Sequence, residues 1–323
     1  MSVRISRADL VNAVPASWRP WVRWVWHHLT LRGSRRIVEW RMCARTQDLT
    51  FNGRLRYKMA YDRRPLLPQL ADKVAVKDYI TSMIGSSHVA ETWAVGGSVR
   101  DMDWSDLPGE CVVKVNHGSG GLVMITTDAP EGARLPEIGS KTGWDRFRVR
   151  PEHADPDRIA DLCQHWMSLD YSWAPGQACI EWCYSDIPRR IMVEELLRNR
   201  AGHHPREYRL FVIGDEVRFI QIEIDVFDDH RTAIVDPRGV MLDVRMVDPP
   251  PDKPPQTPKT LGQMVELAHA LAEPAIDFVR VDMYDLGDRL IVGEMTHYPS
   301  GGTAPISSDY YSRLWGADWV LPY

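Results

Sequence analysis

The stretch Cys111-Val-Val-Lys-Val-Asn-His-Gly-Ser-Gly-Gly-Leu122 is the one around which the chain is organised. Val112, Val113 and Val115 form a β-branched run with one polar interruption, Lys114, so the segment reads as a strand. It runs directly into His117-Gly-Ser-Gly-Gly121, where three of five residues lack a side chain. Glycines let backbone N–H groups close around an anion, and a lysine just upstream adds a point charge. That combination suits the phosphates of a nucleotide. No Lys-Ser/Thr pair follows the glycines, so this is not a Walker loop, nor is the spacing that of the dinucleotide G-x-G-x-x-G. Taken alone, the same residues also fit a plain strand, a surface lysine and a flexible hairpin turn. The rest of the chain has to decide.

At 323 residues the chain is long enough for a substantial core and for two or three sub-domains. A hydrophobic content of 44% and a charged content of 26% are those of a soluble globular protein. A net charge of −5 argues against bulk nucleic-acid binding, so no nucleic-acid partner is expected. The cysteines (Cys43, Cys111, Cys163, Cys179 and Cys183) are dispersed, with no C-x-x-C pair. That suits a reducing cytoplasm, with the thiols buried as small hydrophobes, and speaks against structural zinc. No apolar run approaches the ~20 residues of a membrane span, and no signal-peptide core opens the chain.

Between Ser17 and Leu29, Trp18, Trp21, Val22, Val25, Trp26 and Leu29 fall on one helical stripe, and Arg19, Arg23, Arg32, Arg35 and Arg36 make the region basic. It reads as a helix packed on the domain, with peripheral contact to an anionic membrane surface as the alternative. Asp72 reads as the N-cap of a helix from Lys73 to Ile80, and Asp155 as the cap of one from Pro156 to Leu169. Lys141, Arg146, Arg148 and Arg150 form a basic group that fits either an anionic substrate or a solvated face. Arg190 to Leu197 is an apolar strand ending in Glu194-Glu195. Tyr208–Ile213 and Val217–Ile224 make a hairpin turning at Gly214-Asp215. Prolines 249, 250, 251, 254, 255 and 258 force a loop, after which Leu261, Met264, Val265, Ala268 and Leu271 mark a helix stopping at Pro274.

Phe278–Tyr284 and Arg289–Met295 form the last hairpin, around Asp285-Leu-Gly-Asp288. Asp282 and Glu294 interrupt its apolar runs, where burial is costly without a cation. An odd loop centred on Gly287 sets both acids diagonally on one face, with Arg280 opposite Glu294. A two-residue turn at Gly287-Asp288 sets them on opposite faces. Oxygen ligands on adjacent strands suit Mg²⁺, which takes one or two protein carboxylates plus substrate phosphates. Thr296-His-Tyr-Pro-Ser-Gly-Gly302 is a second glycine-ended loop beside the same place.

A lysine strand with a glycine loop, a Glu-Glu strand end, a hairpin bearing Arg209 and late Asp and Glu residues, in that order, resemble the ATP-grasp superfamily. More closely, DKVAVKDYI, VVKVNHGSGG, IMVEELL, EYRLFVIGD and VRVDMY…GEMTHYPSGG resemble the TupA-like ATP-grasp family, over roughly Thr50 to Gly302. The resemblance implies an α/β (α+β) ATP-grasp fold with nucleotide held between two sheet-bearing lobes. Its parts are a helical segment at 1–70, a region with the lid at 71–200 and a C-terminal lobe at 201–323.

The same resemblance implies ATP and Mg²⁺ as cofactors. It puts Lys114 on the ATP phosphates and His117, Gly118, Ser119, Gly120 and Gly121 in the loop covering them. Glu194, Glu195 and Leu197 fall in the strand that reads adenine, largely through backbone groups. Arg209 meets the transferred phosphoryl group, and Asp282 and Glu294 are metal ligands. The third metal position, an asparagine in many ATP-grasp ligases, is Thr296. Lys141 and Arg190 are the candidates for a second phosphate-binding cation. The implied reaction joins a carboxylate and an amine through an acylphosphate, on a cell-surface polymer, an amino acid or a peptide-like metabolite. The alternatives are a phosphotransferase using the same site and a non-catalytic nucleotide-binding scaffold.

Overall fold

A computed structural model describes residues 48–104, 108–139, 143–172, 181–227, 229–272 and 277–321. The tryptophan-rich stretch 17–29, Cys43, Lys141 and Cys179 lie outside the described residues. Helices α1 (Phe51–Tyr61), α2 (Leu66–Ala71) and α3 (Ala75–Ile84) precede two five-stranded sheets. Among the described residues no helix is long and apolar enough to cross a membrane.

The first sheet has the order β1-β5-β2-β3-β4, built from β1 (Thr92–Gly96), β2 (Cys111–Val115), β3 (Leu122–Ile125), β4 (Arg146–Val149) and β5 (Ile191–Glu194). Strand alternation sorts its two faces. Cys111, Val113, Val115, Val123, Val149 and Val193 turn toward α4 (Pro156–Ser168), which supplies Ile159, Leu162, Cys163 and Trp166 to the same core. Helix α4 starts as its sequence predicts: the Asp155 carboxylate accepts the Asp157 N–H at 3.0 Å, and Pro156 stands where no N–H is needed. The opposite face carries Lys114 beside Met192, and Val112 beside Glu194.

The second sheet has the order β10-β9-β6-β7-β8, with β6 (Arg206–Ile213), β7 (Glu216–Ile224), β8 (Arg231–Val235), β9 (Phe278–Asp285) and β10 (Leu290–Thr296), every neighbour antiparallel. One face buries Leu210, Val212, Ile220, Val279, Val281 and Met295 beneath α5 (Leu261–Ala272). The other face is divided. Phe211, Phe219 and Phe278 meet Phe51 of α1 and Trp315 of α6 (Asp309–Ala317), with Phe219 stacked on Trp315 at 3.8 Å between ring centroids. The remainder of that face is polar.

Under α1 lies a buried ion cluster. Lys58 Nζ donates to Asp62 at 2.7 Å and to Asp277 at 2.6 Å, Arg64 reaches the same two acids, and Trp319 Nε1 donates to Asp277 at 2.9 Å. These contacts tie α1 to the start of β9 and to the chain beyond α6.

The Asp72 cap forms with a late start to the regular turns. Helix α3 runs from Ala75, but Asp72 Oδ1 accepts the Val74 N–H at 2.9 Å and the Asp72 carbonyl accepts the Val76 N–H at 2.9 Å, as an N-cap residue does. The same carboxylate also takes Arg190 (2.8 Å) and the Asn116 amide (2.8 Å), at the ends of β5 and β2. The strand expected to run to Leu197 spans Ile191–Glu194; one further bond, from the Glu195 N–H to the Glu91 carbonyl at 2.9 Å, continues its pairing with β1.

Candidate functional site

The hairpin of β9 and β10 turns through Gly287-Asp288, with the Leu286 N–H donating to the Arg289 carbonyl at 3.1 Å. From Leu290↔Asp285 to Val292↔Met283 the register is the one that puts Asp282 and Glu294 on opposite faces. Gly293 then adds one residue to β10, a bulge, and Glu294 comes to stand directly opposite Asp282. The diagonal pairing expected from an odd loop does not form, and Arg280 faces Thr296 rather than Glu294. Glycine is required at the bulge for space, since a Cβ at 293 would lie 2.6 Å from Cε2 of Tyr284.

Asp282 also pairs with Arg209 of β6, which pairs with Gln221 of β7, so Gln221, Arg209, Asp282 and Glu294 form one row across four strands. Arg209 is walled in by carboxylates: Glu207 at 3.1 Å, Glu223 at 3.0 Å and Asp282 at 3.9 Å. Burial opposes its charge, yet these acids raise its pKa above the ordinary guanidinium value. Arg280 donates from Nε and Nη2 to the two oxygens of Asp282 at 2.7 and 2.6 Å, and from Nη2 to Thr296 Oγ1 at 3.1 Å.

The two acids of the row differ in character. Burial pushes Asp282 upward in spite of Arg280, whereas at Glu294 the same burial is outweighed by Lys73 and Arg280, which hold it low. Lys73 is the cation that sequence reading missed. Its Nζ sits 3.3 Å from Glu294 Oε1 and donates to the Gly118 carbonyl at 2.5 Å, so it bridges the hairpin of Asp282 and Glu294 and the glycine loop. Reading Asp72-Lys73 as a helix start hid it. Of the two candidates for a second phosphate cation, Lys141 lies outside the described residues and Arg190 pairs with Asp72 at 2.8 Å.

On the facing sheet Lys114 is ion-paired with Glu194, whose carboxylate also takes Lys77 Nζ at 2.9 Å. Burial raises the Glu194 pKa, but Lys114 and Lys77 lower it further, and the acid stays ionised. Lys114 also helps, after Lys73 and Arg280, to hold the Glu294 carboxylate low, and Lys73 links Glu294 to the glycine loop that follows β2. The Glu195 side chain pairs with Arg289, and Leu197 packs beside Ala90, Leu286 and Ile291.

The glycine loop is packed rather than open. Gly118 and Gly120 have φ of +87° and +84°, a region that costs other residues strain. His117 is 1% exposed, with its ring edge-on to Trp144 at 5.2 Å, and burial pushes its pKa down to about 4. Its imidazole is therefore not offered to the cleft; of the five loop residues only Ser119 is exposed.

Among the described residues no group of three or more His, Cys, Asp or Glu gathers to hold a metal unaided. Two facing carboxylates, with the Thr296 hydroxyl engaged by Arg280, do not make a zinc site. They do fit Mg²⁺, whose remaining positions go to phosphate oxygens and water.

The family model for TupA-like ATP-grasp proteins matches residues 53–132 and 164–320, which include Lys73, Lys114, the glycine loop, Arg209 and the hairpin of Asp282 and Glu294. No curated protein matches the sequence. Similar solved structures include the ATP-grasp ligase PsnB complexed with minimal precursor, Mg and ADP, at 13% identity and a TM-score of 0.36, covering 76% of this chain and 57% of that one. The D-alanine–D-alanine ligase of Helicobacter pylori gives 11% identity and a TM-score of 0.41, over 79% of this chain and 59% of that one. A RimK domain protein of Sphaerobacter thermophilus gives 15% and 0.37, over 84% and 69%. The chain thus spans little more than half the length of PsnB. With every TM-score below 0.5, the assignment rests on the family model.

Proposed function

The chain belongs to the TupA-like ATP-grasp family, and on that footing we propose that it is an ATP-dependent ligase joining a carboxylate to an amine. The observation that supports this reading best is Asp282 facing Glu294 across the Gly293 bulge, on the sheet opposite Lys114. The phosphates of ATP lie in the cleft, with Lys73, Lys114 and the glycine-loop amides on one side and the two carboxylates on the other. Adenine lies toward Glu194–Leu197; the Glu195 N–H is used within the fold, so other backbone groups of that segment read the base. Asp282 and Glu294 would hold Mg²⁺, whose charge offsets that of the phosphates.

The residues of the chain supply positioning and electrostatics. Lys73, Lys114 and Arg280 bring positive charge to the γ-phosphoryl group as it passes to a carboxylate oxygen, releasing ADP and leaving an acylphosphate. Arg209, held by three acids, fixes Asp282 in the row as well as adding charge. The amine nitrogen then attacks the acyl carbon, phosphate leaves with the C–O electron pair, and the amine proton passes to solvent or phosphate. No covalent nucleophile is needed. Cys111 and Cys163 are buried, which pushes their thiols up to about 11 and about 12. The supply of ATP places the reaction in the cytoplasm, and the acceptors are cell-surface polymer units, amino acids or peptide-like metabolites.

ADP release by the full chain, screened against panels of carboxylates and amines with mass spectrometry of the product, tests this. Release that needs both substrates, with an amide product, is the expected result. A phosphorylated hydroxyl product formed without an amine would make the protein a phosphotransferase. ATP binding without any turnover would leave a non-catalytic nucleotide-binding scaffold, and absence of ATP binding would overturn the nucleotide reading altogether.

A further inference from the structure

We propose that Tyr171, braced by Trp144, is a positioning residue that holds the glycine loop in its phosphate-facing shape and ties it to the lobe bearing the metal hairpin. The proposal rests on the nucleotide reading of the cleft for its consequence, but not for its geometry. A Cβ at Gly118 would fall 2.6 Å from Cδ2 of Tyr171, and one at Gly120 would fall 2.1 Å from the Trp144 carbonyl oxygen. Backbone at these positions therefore lies flat against the two aromatic residues.

The rings continue as a chain. His117 meets Trp144 at 5.2 Å and 88°, Trp144 meets Tyr171 at 5.0 Å and 90°, and Tyr171 meets Tyr184 at 4.8 Å and 71°. These are edge-to-face contacts of the attractive kind. Tyr184 belongs to a cluster with Met59, Leu67 and Tyr298, and Tyr298 follows two residues after the end of β10. Ser119, the exposed residue of the loop, lies beside the Tyr171 hydroxyl. From the other side Lys73 donates to the Gly118 carbonyl at 2.5 Å.

A segment with three glycines loses much conformational freedom when ordered. Rings that order it in advance remove that cost from nucleotide binding, which is preorganisation. Removing the Tyr171 ring should therefore raise KM for ATP more than it lowers kcat. Tyr171→Phe keeps the ring and loses only the hydroxyl beside Ser119, so it should behave much like the wild type.

The test is hydrogen exchange of the full chain without nucleotide, followed over the peptide containing residues 117–121. Tyr171→Ala should exchange at least tenfold faster there than the wild type, with β7 and β9 unchanged, and Tyr171→Phe should be close to wild type. In the ADP-release assay Tyr171→Ala should raise KM for ATP at least tenfold. Wild-type exchange in a folded Tyr171→Ala protein would overturn the proposal, as would loosening spread evenly over the whole first sheet. Should Tyr171→Ala fail to fold, Tyr171→Leu keeps apolar bulk without an aromatic edge and is read by the same two outcomes. A loop that loosens in a protein whose wild type binds no MgATP would sustain the positioning role and remove the nucleotide reading.

Discussion

Glu294 stands directly opposite Asp282 because Gly293 adds one residue to β10. The turn alone would separate the two carboxylates onto opposite faces of the sheet. The bulge restores them to one face, and the Tyr284 ring occupies the space where a side chain at 293 would go. Gly293→Val should therefore cost about 1–3 kcal/mol of stability through overpacking, and should also weaken Mg²⁺-dependent nucleotide binding by shifting Glu294. Urea unfolding and nucleotide titration measure the two effects. A Gly293→Val protein of normal stability that binds nucleotide normally would show the bulge to be incidental.

The elements of the fold were legible where pattern is local. Alternation marked β2, β6, β7, β9 and β10, and Asp155-Pro156 marked the start of α4. The bulge left a signal too, a glycine inside Leu290-Ile-Val-Gly-Glu-Met295, and such a glycine within a strand often marks a bulge. What could not be read were partners distant in sequence. Asp72 could be read as a cap, but not as the partner of Arg190 and Asn116, which share its carboxylate from 118 and 44 positions away. Lys73 looked like the first residue of a helix, and its reach to Glu294 exists only in the folded chain. Trp144 and Tyr171 sit in irregular segments that no periodicity singles out.

Lys73 bridges the two halves of the cleft, so Lys73→Met should weaken binding of MgATP at least tenfold, about 1.4 kcal/mol, while the fold persists. Calorimetric titration checks this. Unchanged affinity would return Lys73 to the role of a surface cation.

The buried cluster of Lys58, Asp62, Arg64 and Asp277 should be costly to break on one side only. Asp277→Asn leaves Lys58 and Arg64 short of one acid and should destabilise by about 3–5 kcal/mol, as measured by denaturant unfolding. Burial favours the neutral form of Asp62, but Arg64 and Lys58 hold it down at about 2, below the ordinary 3.8. Its contribution is thus present above about pH 4 and lost as pH falls toward 2. Asp277→Asn with wild-type stability would contradict this account of how α1 is anchored.

Two buried histidines give a second acid limb at higher pH. Burial lowers His117 from 6.5 to about 4 and His297 from 6.5 to about 3. Both stay neutral in the fold and take up protons on unfolding, so their stabilisation is complete above pH 6.5 and falls away as pH drops toward 4. Each steepens the loss by about 1.4 kcal/mol per pH unit in that window. Unfolding free energies between pH 7 and pH 5 should show the slope, and His297→Gln should reduce it. A flat profile would mean that these rings are charged or solvated.

The central claim is that Asp282 and Glu294 hold a metal–nucleotide complex against Lys114. Calorimetric titration of the full chain with a non-hydrolysable ATP analogue, with and without Mg²⁺, measures it most directly. The wild type should bind only with Mg²⁺ present. Asp282→Asn and Glu294→Gln should each lose at least tenfold in affinity, about 1.4 kcal/mol, while still folding, with Asp282→Asn the less stable of the two because Arg280 and Arg209 lose a buried partner. Two well-folded variants that bind as tightly as the wild type, or a wild type that binds equally well without Mg²⁺, would contradict it.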